Sequence, residues 1–239
     1  MTAALRLEIQ EQPDDTACGP TCLQAVYRYY GDDISLGQVV EETGTLRDGG
    51  TLAVLLGSHA LRRGYRATIF TFNLLMFDPT WFETGRSLPE KLQQQARLKQ
   101  DARLHEATPA YLHFLEAGGA IRFEDLSPGL LRRYLNRSTP VLTGLSATYL
   151  YGSKREHGVE CEQDDLRGSP VGHFVVVCGY RKRKREVLVA DPWRANPLST
   201  RLQYWVDIGR LLNSVLLGIV TYDANLLVIE PAQGRKRPP

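Results

Sequence analysis

Gln12-Pro-Asp-Asp-Thr-Ala-Cys18-Gly-Pro-Thr-Cys22-Leu23 is the stretch on which the reading of this chain turns. Apolar residues at Cys22, Leu23, Val26, Tyr27 and Tyr30 recur at helical spacing and Gly31 follows as a stop, so a helix is expected over 18–30. Cys18 then stands at the helix N-terminus, where unsatisfied amides and the helix dipole favour an anion. A thiolate nucleophile needs such a setting. Pro20 suits the first turn, where its missing N–H costs nothing. Gly19 is read as room for a substrate to approach, and Cys22, one turn later, as core. A lone cysteine is more often a small buried residue that packs. The local sequence tips the reading toward chemistry, and Gln12, through its position six residues before Cys18, becomes the candidate whose amide can join the Cys18 backbone N–H as a donor to an oxyanion.

The partners that such a thiol needs lie far downstream, in Gly172-His173-Phe-Val-Val-Val and Ala190-Asp191-Pro192-Trp193. The runs His173–Tyr180 and Arg185–Asp191 read as strands joined by a basic turn. A hairpin closing near Lys182 sets His173 opposite Asp191, since each is nine residues from it. Opposed residues have Cβ atoms ~4.5–5.5 Å apart, close enough for a carboxylate to orient an imidazole. Without Cys18 the same residues would read as a strand cap and an Asp-Pro turn. With it, thiol, imidazole, carboxylate and amide are the parts of an acyl-transfer site.

The bulk of the chain is compatible with a globular enzyme. At 239 residues, 43% hydrophobic and 23% charged, it is long enough to bury roughly 70–75% of its unfolded surface without disulfides. Twenty-nine basic against 27 acidic residues leave a formal charge of +2, too little to argue for nucleic acid. The run Arg181–Arg185 is read as a solvated turn, with no interleaved aromatics, and no P-loop or dinucleotide fingerprint occurs. The N-terminus lacks a signal-peptide pattern and no window is apolar enough to span a membrane. With cysteines only at 18, 22, 161 and 178, a reducing cytoplasm is the expected compartment.

Around the central stretch, Leu5–Ile9 reads as a strand, Ser35–Glu42 and Thr51–Arg63 as helices, and Tyr65–Phe72 as a strand. Polar Leu88–Leu115 reads as helix with a break at Pro109. Further strands are expected at Val141–Leu145, Val187–Ala190 and Leu226–Ile229, and helices at Ser127–Asn136 and Leu202–Leu212. The expectation is an α+β fold, a helical N-terminal half on a mostly antiparallel C-terminal sheet. His157 and Cys161 could share a helix face as metal ligands, but their charged, glycine-bearing surroundings favour a loop. His105 and His113 are read as solvated and His59 as filler; no grouping has structural zinc spacing.

At Gln12, Cys18-Gly19-Pro20, Tyr29-Tyr30-Gly31, His173-Phe174-Val175-Val176 and Asp191-Pro192 the chain resembles the bacteriocin-processing, double-glycine-leader cysteine peptidase family and its stand-alone relatives, within the papain-like superfamily. Ala17 stands where that family has Asp, with Asp14 and Asp15 upstream, and the span between Cys18 and His173 is long for the family. The resemblance implies a papain-like peptidase domain over 1–230 with a helical insertion at about 77–116, followed by a basic tail at 231–239. It also implies Cys18 as nucleophile, His173 as base and then acid, Asp191 as orienter and Gln12 in the oxyanion hole. A peptide or protein substrate follows, with no metal, organic cofactor, nucleic acid or membrane partner. Trp81, Tyr111 and Phe114 of the insertion fit either a lid or core. The same acyl-enzyme would serve an acyltransferase or peptide-ligating enzyme, and a binding module without catalysis is a third alternative.

Overall fold

The computed structural model describes residues 2–45, 50–83, 85–158 and 160–232. In chain order its elements are β1 (Thr2–Ala4), α1 (Cys18–Tyr29), α2 (Leu36–Thr43), α3 (Ala53–Arg62), β2 (Tyr65–Thr71), α4 (Leu88–Leu98), α5 (Ala102–Glu116) and β3 (Ala120–Arg122). There follow α6 (Pro128–Leu135), β4 (Val141–Ser146), α7 (Ala147–Tyr151), β5 (Glu156–His157), β6 (Glu162–Gln163), β7 (Gly172–Arg181), β8 (Glu186–Ala190), β9 (Gln203–Asp207), α8 (Ile208–Leu217) and β10 (Asn225–Pro231). The large sheet runs β3-β2-β10-β4-β7-β8-β9, with β1 paired to the far end of β7. Only β2 and β3 pair in parallel among the described residues. The fold is α+β with a mostly antiparallel sheet.

Two apolar layers flank that sheet. On one face Leu23 and Val26 of α1, Leu56 of α3 and Phe114 of α5 pack with Phe174, Val176 and Leu227. On the other, Leu131 of α6, Leu150 of α7, and Leu211 and Val215 of α8 pack with Val175, Val177 and Leu226. β7 is therefore covered on both sides, which is why its sequence reads as an unbroken apolar run rather than an alternation. The expected division into a helical half and a sheet half is corrected here. β2 from the N-terminal half lies inside the sheet, and helices from both halves cover it, one set per face.

Local signals explain the other departures. Leu202–Leu212 is not one helix: Tyr204-Trp205-Val206, good strand formers, pair with β8, and Asp207 then caps α8 by accepting the Arg210 N–H at 3.0 Å. The polar stretch breaks at Lys99–Asp101, where Asp101 caps α5 through the Leu104 N–H at 2.9 Å. Pro109 stays inside α5 on its exposed side, where water can satisfy the carbonyl that loses its partner. The first strand is β1, ending at Ala4, not Leu5–Ile9; beyond the Leu5 N–H to Cys178 carbonyl bond (2.8 Å) the chain leaves the ladder. Pro231 of the expected tail belongs to β10, and 233–239 lie outside the described residues.

The segment 77–116 contributes Phe77, Leu92, Leu104, Tyr111 and Phe114 to the same layer as α1 and α3, with Trp81 partly buried against it, so these aromatics are core. Gly57 on α3 shows how close that packing is: a Cβ there would lie 2.7 Å from the Phe114 ring. Helix propensity alone makes Gly→Ala favourable by about 1 kcal/mol. Overpacking of this kind costs roughly 1–3 kcal/mol. Gly57→Ala is therefore expected to lower the urea midpoint; a raised midpoint would show that α5 gives way freely.

Candidate active site

α1 begins at Cys18, with Ala17 as its N-cap residue and no side chain closing the helix end. The Thr21 N–H already returns to the Ala17 carbonyl at 2.9 Å, and the Thr21 hydroxyl donates to the same oxygen at 2.7 Å. An uncapped start leaves the first amides of the helix available to another acceptor. Cys18 is half-buried there, whereas Cys22 is fully buried and its thiol donates to the Phe174 carbonyl at 3.2 Å. Gly19 differs from expectation. A Cβ on it would meet Leu56 and Phe174 side chains at 3.2 and 3.3 Å, so its bareness lets α1 seat on α3 and β7 rather than opening a path for substrate.

His173 is 7% exposed and Asp191 0%. They meet through His173 Nε2 and Asp191 Oδ1 at 2.9 Å. The hairpin that joins them is offset from the expected one. The turn spans 182–185, Val176 pairs with Ala190, and a bulge falls between Val177 and Gly179. Continued past its last rung, that register sets Asp191 across from Val175, two residues from His173. The shift is even, so both side chains keep the same face, and the contact is diagonal instead of direct. Diagonal neighbours remain within reach of long side chains.

The other ring nitrogen of His173, Nδ1, takes no part in the bond to Asp191, and Cys18 and His173 line one cavity. Burial disfavours the imidazolium, but the Asp191 charge and hydrogen bond, with Cys18 adding to them, outweigh it and lift His173 to about 10. Burial likewise pushes Asp191 up, yet the His173 charge and its hydrogen bonds hold the carboxyl below its ordinary value. The other three cysteines move away from reactivity. Burial raises Cys22, and raises Cys178 to about 12; burial and the Glu156 carboxylate raise Cys161.

Three further groups hold Asp191, and sequence reasoning missed all of them. The Tyr151 and Tyr204 hydroxyls each donate to Oδ2 at 2.7 Å, and the Trp193 N–H donates to Oδ1 at 3.0 Å. Tyr151 sits at the end of α7, terminated by left-handed Gly152, and Tyr204 lies on β9, which the sequence reading took for helix. Strand alternation along Gln203–Asp207 would have pointed Tyr204 inward; nothing in the sequence marks Tyr151.

Gln12 is tied to the same loop: its backbone N–H donates to the Pro192 carbonyl at 3.0 Å. Its amide nitrogen donates to the Asp14 carbonyl at 2.8 Å, while Oε1 is buried without a hydrogen-bond partner. The amide carries two N–H donors, so one remains for another acceptor. Gln12, Tyr151, Trp193 and His173 line a cavity of about 420 Å³. A second cavity, of about 340 Å³, is lined by Cys18, Leu52, Gly172, His173, Phe174 and Asp223. His173 is common to both. His157 and Cys161 lie in and beside the small β5–β6 hairpin, not on a helix face. No group of three or more potential metal ligands occurs among the described residues. Nor is any helix among them long and apolar enough to cross a membrane. His59 is buried core, its ring nitrogens on the Tyr27 hydroxyl (2.8 Å) and Glu42 (3.1 Å).

Comparison with known proteins bears on this arrangement. Residues 105–212, which carry His173 and Asp191, match the model of the Peptidase_C39 like family. No curated protein sequence matches the chain. A solved structure described as that of a C39-like peptidase from Bacillus anthracis is 15% identical, with a TM-score of 0.51 over 98% of this chain and 100% of that one. Xylellain, a cysteine protease from Xylella fastidiosa, is 12% identical, with a TM-score of 0.49 over 97% and 86%. A double glycine motif protease from an AMS/PCAT transporter, in complex with its leader peptide, is 14% identical, with a TM-score of 0.47 over 96% and 95%. At 15% identity the likeness to the Bacillus anthracis structure is one of fold. Fold and family match agree with the motifs of the sequence: the chain resembles the C39-like peptidases and carries their papain-like α+β architecture.

Proposed function

We propose that the protein is a cysteine peptidase that hydrolyses peptide bonds through a thioester on Cys18. The observation that carries this reading is His173, hydrogen-bonded to the buried Asp191 carboxylate and lining one cavity with Cys18 at the start of α1. His173, backed by the Asp191 carboxylate, accepts the Cys18 thiol proton. The sulfur attacks the peptide carbonyl carbon, and the oxygen that becomes negative is met by the Cys18 backbone N–H and the spare N–H of Gln12. As the carbon–nitrogen bond breaks, His173 gives its proton to the leaving amine. Water, losing a proton to His173, then attacks the thioester, and collapse of that second adduct returns the acid product and the Cys18 thiol. Asp191 stays ionised throughout and keeps Nε2 protonated and the ring aligned.

Alkylation tests the nucleophile directly. With a low dose of iodoacetamide near pH 6, Cys18 is expected to react at least about ten-fold faster than Cys161, since an imidazolium beside a thiol favours thiolate whereas acidic neighbours oppose it. Peptide mapping of wild type against Cys18→Ala reads the sites; equal labelling of Cys18 and Cys161 refutes the assignment.

The ion pair also has a stability signature. The folded pKa of His173 is raised to about 10, above the ordinary ~6.5 of histidine. Its pairing therefore stabilises the fold fully below pH ~6.5 and is lost as pH rises through about 10. Urea titrations should show wild-type stability falling over that window relative to His173→Gln. Parallel curves would mean that the imidazole enters the fold uncharged.

Gln12→Ala separates binding of the oxyanion from activation of the thiol. It should lower kcat on a fluorogenic peptide library by roughly 10²–10³-fold, the usual loss for one oxyanion donor, with little change in iodoacetamide labelling. A kcat within two-fold of wild type would remove Gln12 from the mechanism.

A further inference from the structure

Asp223 is a buried carboxylate that the proposed chemistry does not use. It is 6% exposed and lines the cavity that also holds Cys18 and His173. The fold takes unusual measures to set it there. Its neighbours Tyr222 and Ala224 have φ values of 64° and 49°, the left-handed region, which neither side chain favours. Such backbone persists where the surroundings over-determine it, and it concentrates at functional sites. The Asn73 amide donates to the Tyr222 carbonyl at 3.2 Å and the Asp223 N–H to the Gly218 carbonyl at 2.9 Å, pinning the bend.

Bare glycines make the room. A Cβ on Gly144 would lie 2.7 Å from Asp223 Oδ1, and one on Gly172 would lie 2.4 Å from Oδ2. One carboxylate oxygen, Oδ2, accepts the Thr221 hydroxyl at 2.7 Å. Burial lifts the carboxyl to about 7, against the hydrogen bond from Thr221 and the positive charges of Arg103 and His173. A carboxyl poised there becomes fully ionised when a cation arrives.

The wall around it is acidic. Asp15 and Glu156 line the same cavity, and Arg103, the one Lys or Arg among its described lining residues, has its guanidinium 5.5 Å from the centre of the Tyr222 ring. Which side of the scissile bond this cavity serves follows from the division of labour at the site. Cys18, on which the acyl part of a substrate would stay, lines the Asp223 cavity and not that of Gln12 and Trp193, while His173, which would give the leaving amine its proton, lines both. We propose that Asp223 forms the floor of a recognition subsite for a basic side chain, lysine or arginine, on the acyl side of the peptide bond that is cut. The inference rests on Cys18 being the nucleophile.

Peptidyl acyloxymethyl ketones test it, with arginine, norleucine or glutamate placed in turn at the first and second residues before the ketone. Intact-mass measurement gives the rate of Cys18 alkylation. At one of the two positions arginine is expected to exceed norleucine by roughly ten-fold, the scale of one hydrogen bond between charged groups, with glutamate slowest. In Asp223→Asn that ratio should fall to about one. The wild-type comparison needs no variant, so poor folding of Asp223→Asn leaves the test intact. Equal rates for arginine and norleucine at both positions overturn the subsite if iodoacetamide still singles out Cys18 in the same protein. Should iodoacetamide fail to do so, it is the reading of the site itself that falls. An arginine preference that survives in Asp223→Asn also overturns the proposal, because another group then reads the charge.

Discussion

A carboxylate with no exposed surface has to be met by donors on every side, and in this fold Asp191 is that carboxylate. Burying an ionised group unpaired costs several kcal/mol. Asp191 is met by the His173 ring from β7, the Tyr151 hydroxyl from the end of α7, the Tyr204 hydroxyl from β9 and the Trp193 N–H from its own loop. Backbone bonds, from the Ala147 N–H to the Val171 carbonyl and from the Asp191 N–H to the Leu202 carbonyl, help to hold the same parts together. The charge adds a common point on which all of them converge at this end of the sheet. Both tyrosine hydroxyls are driven well above their usual pKa, chiefly by burial and then by Asp191, so they stay neutral donors.

The proposed nucleophile comes from the other side. α1 belongs to the layer built with α3 and α5, whereas the Asp191 network belongs to the layer with α7 and β9. The two meet where β7 begins, with His173 at the strand's second residue and Phe174 next to it on the opposite face, touching Gly19 and accepting the Cys22 thiol at its carbonyl. One strand end thus aligns thiol and imidazole. This makes the depth at which α1 sits, set by Gly19 against Leu56 and Phe174, a determinant of the Cys18–His173 contact.

Much of this could be read from residues. The helix starting at Cys18, the strand starting beside His173 and the hairpin returning to Asp191 are local patterns, and apolar spacing with Gly and Pro stops marks them well. The order of the strands could not be read, because β10 lies between β2 and β4 and such non-local pairing leaves no local trace. The hairpin register failed for a definable reason: a bulge and a turn with Arg185 at φ 56° shift the ladder by an even number, which spared the contact by parity alone. The tyrosines around Asp191 and the strained bend at Asp223 were invisible, since each depends on tertiary neighbours. Tyr204 was hidden further by a helical-looking run that the Asp207 cap divides.

The path of the first dozen residues carries a last consequence. The chain is fastened to the sheet at Leu5, through Cys178, and again at Gln12, through Pro192, and between them the Leu7 carbonyl takes the Gln203 amide. Gln12 is thereby held from the far end of β7 as well as from its own turn. The segment behaves as a stay of set length, stretched along the sheet from an anchor remote from the cavity. Its span, rather than any side chain in it, sets where the Gln12 amide meets the cavity that it lines with His173 and Trp193.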